Sequence, residues 1–392
     1  MKEALKHIKV IDLCRSYPPA FASAIMADFG ADVIKIDVPG FSFPLPMLQG
    51  PESLAFWFLD RNKRALSLKL KSEKGREIFF QLARQSDVII ENSKPGTMDT
   101  LGIGYSTIKE INPRIVYCSV SGYGQDGPYS QLPGHDSNYL SIAGALSLLG
   151  EKDGPPIIPS NIIGDMAGAG MHSLAAVLIA LMARENTGQG QFIDVSYTDG
   201  VFSLLAVQTA LYLLTGIPPR RGEHLLTGSE PFFSNYRTKD GQYFNIACIE
   251  PWLWENLCNA LGCEEFIPYQ WTLDKKKKEE MFSFFEKTFL TKTRDEWWEW
   301  VKGKDIAAAP VLHLEEAFDD PQIVHRLMIQ EVEHPTLGKI KQLGTPFKLS
   351  ETPARHKRFS PTPGQHTDEI LRELGYEDQD IKDFKERGAV GG

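Results

Sequence analysis

The first 125 residues alternate between two patterns of apolar positions. Short apolar runs (IKVIDLC, ADVIKIDV, ALSLKLK, DVIIENS and RIVYCSVSGYG) alternate with stretches whose apolar residues recur at helical spacing, such as AFASAIMADFG and SEKGREIFFQLARQS. Apolar strands separated by helices of this length are typical of βαβ units, in which helices cover a parallel sheet. The pattern therefore predicts an α/β fold with a mostly parallel sheet.

The pattern changes after the Gly- and Pro-rich loop GEKDGPPIIPSN. Two long helices are predicted over 166–184 and 199–215, with the strand GQFIDVS between them, and GIPPRRGEHLLTGSEP then ends the helical pattern. The Pro-rich C-terminal part has little apolar sequence for a core of its own and is expected to return to the first domain. The predicted division is a large domain, a linker, a smaller α+β domain and a return segment that completes the large domain, over 1–215, 216–228, 229–330 and 331–392.

Length and charge narrow the classes of function. A chain of 392 residues favours two domains, and a net charge of -9 without a dense basic block argues against nucleic acid as a partner. Five cysteines without a C-x-x-C pair are typical of free thiols in a reducing compartment. The apolar runs are too short or too interrupted to cross a bilayer, and no signal peptide is recognised. We expect a soluble, cytoplasmic protein without a membrane partner.

Three familiar motifs are missing from the sequence. Neither H-E-x-x-H nor paired Cys/His spacing occurs, so no metal site is expected. The phosphate-binding motif G-x-x-x-x-G-K-[ST] does not occur either. SVSGYG differs from the esterase motif G-x-S-x-G because Ser119 stands two residues before Ser121.

Two short segments place ionisable residues next to glycines. PGHDSNYLS has His135 and Asp136 before an apolar stretch, and NIIGDMAGAG has Asp165 at the predicted start of a helix. The structural explanations are a hydrogen-bonded histidine and an N-cap aspartate on a tightly packed helix. The functional explanation is that the glycines let a ligand approach backbone N–H groups, which stabilise an enolate or thioester oxyanion. Together the segments indicate an acid/base or nucleophile pair.

Several longer segments resemble the family III CoA-transferases. They are DRNKRALSLKLKSEKGREIF, DVIIENSKPGTMDTLGIGYSTIKEINPRIVYCSVSGYGQDGPY, GHDSNYLSIAGALSLLG, NIIGDMAGAG, TGQGQFIDVSYTDG and GQHTDEILRELG. The resemblance implies an interlocked homodimer of ring-like subunits, in which a homologous chain could replace the second copy. Each subunit would have a Rossmann-like large domain built from both chain ends. The substrate would be an acyl-CoA thioester bound across the subunit interface, with coenzyme A as part of the substrate and no separate cofactor.

The resemblance also implies roles for individual residues. In the transferases Asp165 would attack the thioester and carry the acyl group. The α-methylacyl-CoA racemases also share GHDxNY, found here at 134–139, which implies His135 and Asp165 as two bases. Glu250 in CIEPW would hydrogen-bond to the histidine from the same or the partner subunit. The expected substrate- and coenzyme A-binding residues are Arg61, Leu68, Lys69, Leu70, Lys71, Asn92, Lys94, Gly134, Asp136, Asn138 and Tyr139.

This chain differs from the racemases at residues expected to contact the coenzyme A phosphates, and an aromatic segment lies where the acyl group could bind. Val38 replaces an arginine in KIDVPG, for which Lys35 or Arg61 would have to compensate, and Lys94 replaces an arginine in ENSKPG. Lysine keeps the charge but loses the bidentate fork. The segment GFSFPLPMLQGPESLAFWFLD is rich in aromatic residues, which would form either an acyl pocket or part of an ordinary hydrophobic core. They are Phe41, Phe43, Phe56, Trp57 and Phe58.

Racemisation explains the histidine better than CoA transfer does. Inverting the carbon next to a thioester carbonyl requires one group on each face of the enolate, one deprotonated and the other protonated. CoA transfer requires only Asp165 as a nucleophile. We therefore favour a racemase acting on a 2-methylacyl-CoA, with a CoA-transferase as the alternative. A non-catalytic CoA-binding subunit is disfavoured by the presence of both Asp165 and His135.

Overall fold

The computed structural model describes residues 2–39, 58–224, 226–334 and 338–391. The chain forms two compact units. The first comprises Met1–Ala143, Pro159–Ala206 and His325–Gly392, and the second Gly144–Ile158 and Val207–Val324. Four of the five aromatic residues considered for an acyl pocket, Phe41, Phe43, Phe56 and Trp57, lie outside the described residues.

The first unit is built on six parallel strands, which confirms the predicted α/β fold with a parallel sheet. The strands are β1 (Lys9–Asp12), β2 (Asp32–Asp37), β3 (Arg64–Ser67), β4 (Val88–Glu91), β5 (Val116–Ser121) and β6 (Phe192–Ser196). Their order in the sheet is β3-β2-β1-β4-β5-β6. The chain winds outward in both directions from β1 and β4, so the topological switch point lies between these two strands.

Helices cover both faces of this sheet. They are α1 (Tyr17–Asp28), α2 (Glu73–Gln85), α3 (Thr97–Thr100), α4 (Tyr105–Ile111), α5 (Asp136–Ile142), a π-helix (Ile162–Met171), α6 (His172–Thr187) and α7 (Tyr197–Leu204). Alternate strand residues belong to separate cores, because successive strand side chains point to opposite faces. Val10 and Val88 pack with α1 and α6, whereas Ile11 and Ile89 pack with α2.

The two helices of the C-terminal segment pack on the same face as α2. This segment contains the antiparallel strands β10 (Ile329–His334) and β11 (Gly338–Leu343) and the helices α14 (Thr367–Glu373) and α15 (Asp378–Glu386). Ile370 and Phe384 are buried in the core that includes Ile89. Arg64 of β3 forms ion pairs with Glu369 and Glu373 at 3.0 and 2.8 Å.

The second unit contains a small antiparallel sheet and several helices. Its strands, in the order β7-β8-β9, are β7 (Phe233–Arg237), β8 (Tyr243–Ala247) and β9 (Ala308–Pro310). Its helices are α9 (Pro251–Leu261), α10 (Lys275–Phe289), α11 (Arg294–Val301) and α12 (Leu314–Ala317). α8 (Ala206–Thr215) and α13 (Pro321–His325) lie where the chain passes between the units.

The unit boundaries differ from the predicted ones. Residues 144–158 and 207–215 were assigned to the large domain but group with the second unit, and the return to the first unit begins at 325 rather than 331. Arg221 provides a physical reason for the first difference. Its guanidinium donates hydrogen bonds to the carbonyls of Ser147, Glu151 and Gly154, which attach this loop to the second unit.

The two helices predicted over 166–184 and 199–215 also differ in form. The first begins at Ile162 as a π-helix and continues as α6, and the second is divided into α7 and α8 at an angle of 62°. By length and composition Ile162–Thr187 suffices to cross a membrane, as does the bent pair α7 and α8 taken together. In the structure Leu174 and Val177 of α6 are buried in the core of the first unit.

Candidate active site

A cavity of about 970 Å³ lies at the carboxyl ends of β1, β4 and β5. Ligands of doubly wound sheets bind in this position, next to the topological switch point. The cavity brings together residues from segments that are distant along the chain. Among the residues that line it are Ser16, Tyr17, Asn92, Lys94, Ser121, Gly134, His135, Asn138, Tyr139, Asp165 and Tyr197.

Asp165 reaches the cavity from the first turn of the π-helix. The sequence predicted it as the N-cap of a helix, but the helix begins at Ile162 and its N-cap is Asn161. The neighbouring glycines are buried, so they do not open the backbone to a ligand as the functional explanation assumed. A β-carbon at Gly200 would lie 1.9 Å from the carbonyl oxygen of Gly168. Glycine there lets α7 pack directly against the π-helix and holds this wall of the cavity in place.

The environment of Asp165 favours its protonated form. Burial raises the pKa of Asp165 to about 6, and the nearby charge of Asp136 adds to the rise. A hydrogen bond with the Asn161 side chain and the charge of His135 act in the opposite direction. The Asp165 carboxyl can therefore release or accept a proton close to neutral pH.

His135 stands at the N-terminus of α5, on the same cavity. Its backbone N–H donates to Oδ1 of Asn138 at 3.0 Å, which caps the helix and orients the loop before it. The Tyr139 hydroxyl donates to the carbonyl of Gly134, so this loop is held from both sides. The His135 side chain is exposed to the cavity, where an imidazole can exchange protons with a ligand.

Three phenol groups form the wall around Asp165. Burial raises the pKa of Tyr139 to about 12, and the charges of Tyr123 and Asp165 contribute. Burial and the charge of Asp165 also raise the pKa of Tyr17 and Tyr197. These hydroxyls are neutral hydrogen-bonding groups at physiological pH. Tyr17 and Tyr197 were not predicted from the sequence as site residues, although both follow the carboxyl end of a predicted strand.

Asn92 and Lys94 lie on the strand-β4 side of the cavity. The Asn92 side chain accepts from the Arg15 backbone at 2.8 Å and donates to the Ser16 hydroxyl at 2.7 Å, which links the segments after β4 and β1. Lys94 is exposed and lines the cavity. Among the described residues, no group of three or more His, Cys, Asp or Glu side chains is arranged to hold a metal ion.

The other expected coenzyme A-binding residues do not line this cavity. Arg61 is 3% exposed and donates to both carboxylate oxygens of Asp28, at 3.0 and 2.5 Å. Lys35 pairs with Asp60 at 2.5 Å. Asp136 is buried behind the cavity wall. Four more follow β3: the side chains of Leu68 and Leu70 are buried in the core, and those of Lys69 and Lys71 are exposed. Contact of these residues with coenzyme A stays a prediction.

Glu250 belongs to the second unit. It is the exposed N-cap residue of α9, and Pro251 begins the helix. Its predicted hydrogen bond to His135 stays a prediction.

The fold and the cavity define a doubly wound α/β protein with acid/base groups at its topological switch point. The model of the CoA-transferase family III matches residues 5–367, and the chain belongs to this family. The family acts on coenzyme A thioesters and includes both racemases and transferases.

Relatives of both kinds are similarly close to this chain. It is 32% identical to the alpha-methylacyl-CoA racemase of Homo sapiens, over 96% of this chain and 95% of that protein. It is 31% identical to the succinyl-CoA:glutarate CoA-transferase of Homo sapiens, over 98% and 90%. Among solved structures, a CAIB/BAIF family protein from Brucella suis covers 95% of this chain and 100% of its own, with a TM-score of 0.82 and 29% identity.

Proposed function

We propose that the protein racemises the α-carbon of a 2-methylacyl-CoA by proton transfer. The observation that carries this proposal is that His135 and Asp165 line one cavity from different elements, while the pKa of Asp165 is raised to about 6. A carboxyl group with a raised pKa and an imidazole on the same cavity suit a reaction in which each must donate a proton in one direction and accept it in the other.

In the proposed reaction these two groups move the protons to and from the α-carbon of the thioester. The thioester carbonyl makes the α-proton acidic, and the Asp165 carboxylate removes that proton to form an enolate. The His135 imidazolium then donates its proton to the opposite face of the same carbon. In the reverse direction neutral His135 removes the proton and protonated Asp165 returns one. Glu250 orients the imidazole in this proposal, from the same chain or from a second copy.

Similarity to the human racemase supports this function, and similarity to the human CoA-transferase supports the alternative. In the alternative, the Asp165 carboxylate attacks the thioester and coenzyme A leaves as the thiolate. His135 is then a residue without a chemical role. A pKa of about 6 leaves most of the Asp165 carboxyl ionised at pH 7, which suits a base and a nucleophile alike. The presence of His135 on the same cavity is therefore what favours the racemase.

Coenzyme A is part of the substrate in this proposal, and no separate cofactor takes part. Lys94 at the cavity and the exposed Lys69 and Lys71 after β3 are proposed to bind its phosphates, since all three follow carboxyl ends of parallel strands. All five cysteines are free and buried, which supports the reducing cytoplasm as the proposed location.

We also propose that the enzyme is an interlocked homodimer. Large apolar side chains are exposed on α6, at Ile179 and Met182, and at the end of α8, where Leu213 and Leu214 are 76% and 84% exposed. Large apolar side chains exposed next to one another, as at Leu213 and Leu214, are typical of an interface between subunits. Because interlocked rings cannot separate without unfolding, sedimentation velocity should show a dimer even at nanomolar concentration. A folded monomer would contradict the proposal, and a second, different chain in the native complex would indicate a heterodimer.

The decisive experiment is reaction in D₂O. A racemase exchanges its proton with solvent and therefore incorporates deuterium at the α-carbon of a 2-methylacyl-CoA, which mass spectrometry detects. His135→Ala should abolish the exchange or restrict it to one enantiomer, a loss of about 10²–10⁴-fold for the affected enantiomer. Absence of α-deuterium in the wild type, together with full CoA transfer by His135→Ala to an added carboxylate, would establish the transferase instead.

A further inference from the structure

Asp136, next to the histidine, is buried directly behind Asp165. It is the first residue of α5, and 8% of it is exposed. Its Oδ2 atom accepts a hydrogen bond from the backbone N–H of Asp165 at 2.8 Å. Its Oδ1 atom has no hydrogen-bond partner among the described residues. A buried carboxylate with one unsatisfied oxygen is unfavourable for folding, so its presence calls for a functional reason.

Gly164 makes this contact possible. A β-carbon on residue 164 would lie 2.7 Å from Oδ2 of Asp136, which is closer than real β-carbons approach another atom. Any side chain at this position would push the carboxylate of Asp136 away from the backbone of Asp165. The glycine of the GDMAGAG segment therefore lets a carboxylate on α5 reach the π-helix.

The titratable groups around Asp165 belong to three elements. α5 contributes His135, Asp136 and Tyr139, α1 contributes Tyr17 and α7 contributes Tyr197. The phenols are neutral and His135 favours the ionised form of Asp165. Of these described groups, Asp136 alone carries a negative charge that opposes ionisation of Asp165.

We propose that Asp136 is a positioning residue, which holds the backbone of Asp165 in place and whose charge, together with burial, favours the protonated form of Asp165. This rests on the proposed function, in which Asp165 both takes and returns a proton. Asp136 thus has two tasks, and one carboxylate performs both. Its Oδ2 atom accepts the hydrogen bond of the Asp165 N–H, while its charge acts on the Asp165 side chain. The unsatisfied Oδ1 follows from this arrangement, since a donor placed there would screen the charge.

Asp136→Asn separates the two tasks. The amide oxygen still accepts the Asp165 N–H, but the negative charge is removed. With [γ-¹³C]aspartate labelling, the Asp165 signal is assigned by its absence from Asp165→Asn, and its titration is followed by NMR without substrate. We expect the midpoint to fall from about 6 by about one pH unit in Asp136→Asn. If this variant does not fold, Asp136→Ser replaces it, since the smaller side chain fits the same space.

Asp199→Asn is the matched control. Asp199 is an exposed carboxylate in the first turn of α7, which also packs against the π-helix, so this variant removes an equal charge from a neighbouring helix. Its Asp165 midpoint should stay close to that of the wild type. An unchanged or higher midpoint in Asp136→Asn, or an equal fall in Asp199→Asn, would overturn the proposal.

The pH dependence of α-deuterium incorporation provides the kinetic test. The ionised form of Asp165 is the base in one direction, so kcat/KM in that direction rises with pH through the Asp165 midpoint. In Asp136→Asn this rise should move to lower pH by the same amount as the NMR midpoint. If the wild type incorporates no deuterium but the NMR midpoint still falls in Asp136→Asn, the control of Asp165 by Asp136 stands and the racemase function fails.

Discussion

Replacing Asp165 with alanine should abolish deuterium incorporation at the α-carbon and any transfer of coenzyme A to a carboxylate. The variant loses the base in the first reaction and the nucleophile in the second. A positioned general base contributes about 10²–10⁴-fold, so the loss in kcat should be at least of this size. Mass spectrometry of the product and of the CoA acceptor measures both reactions in the same samples.

Two controls distinguish a loss of the chemical step from a loss of folding or of substrate binding. Asp199→Ala, which truncates the exposed aspartate on α7, should keep wild-type rates. Binding of a non-reactive acyl-CoA analogue by Asp165→Ala should remain within a few-fold of the wild type, because Asp165 occupies the acyl rather than the phosphate end of the substrate in the proposed reaction. Near-normal kcat in Asp165→Ala would remove Asp165 from both mechanisms.

Lys63→Met should destabilise the fold by about 3–5 kcal/mol, because it leaves the buried carboxylate of Asp12 without its cation, whereas Asp60 keeps its ion pair with Lys35. Lys63 is 0% exposed, and its Nζ atom binds Asp12 at 2.7 Å and Asp60 at 3.0 Å. Burial alone would lower the pKa of Lys63, but the charges of Asp12 and Asp60 outweigh burial and raise it, so the lysine stays charged. Asp12 also accepts hydrogen bonds from the Ser23 hydroxyl and the Cys14 backbone N–H. Cys14 lies two residues before Ser16, which lines the cavity.

Urea-induced unfolding measures this loss of stability. Lys74→Met is the control, because Lys74 forms a half-exposed ion pair with Glu77 on α2, and its loss should cost no more than about 0.5 kcal/mol. Lys63→Met combined with Asp12→Asn should recover part of the stability, since the side chain that lost its cation is then neutral. A cost for Lys63→Met as small as that of the control would show that water or neighbouring groups compensate the buried carboxylate of Asp12.

Residue type and periodicity were sufficient to predict the parallel sheet, and residue type also made His135 and Asp165 candidates for the reacting groups. Apolar runs separated by helical patterns predict parallel strands, because a strand buried on both faces needs apolar residues at successive positions, as in Val10 and Ile11. The pairing of His135 with Asp165 followed from a few polar residues with acid/base chemistry beside glycines and from the resemblance to a known family. These features are local, and each can be recognised within about ten residues of the chain.

Long-range packing produced the features that the sequence did not reveal. The strand order places the ends of β1, β4 and β5 around one cavity, which brings Tyr17 and Tyr197 to Asp165 from positions 148 and 32 residues away. The π-helix, predicted as an α-helix beginning after Asp165, depends on how closely α7 approaches it at Gly200. Asp136 binds the Asp165 backbone across 29 residues. The type of each side chain determines which groups are able to exchange protons. The distance between the carboxylates of Asp136 and Asp165, and with it the proton affinity of Asp165, depends on how the helices that carry them pack.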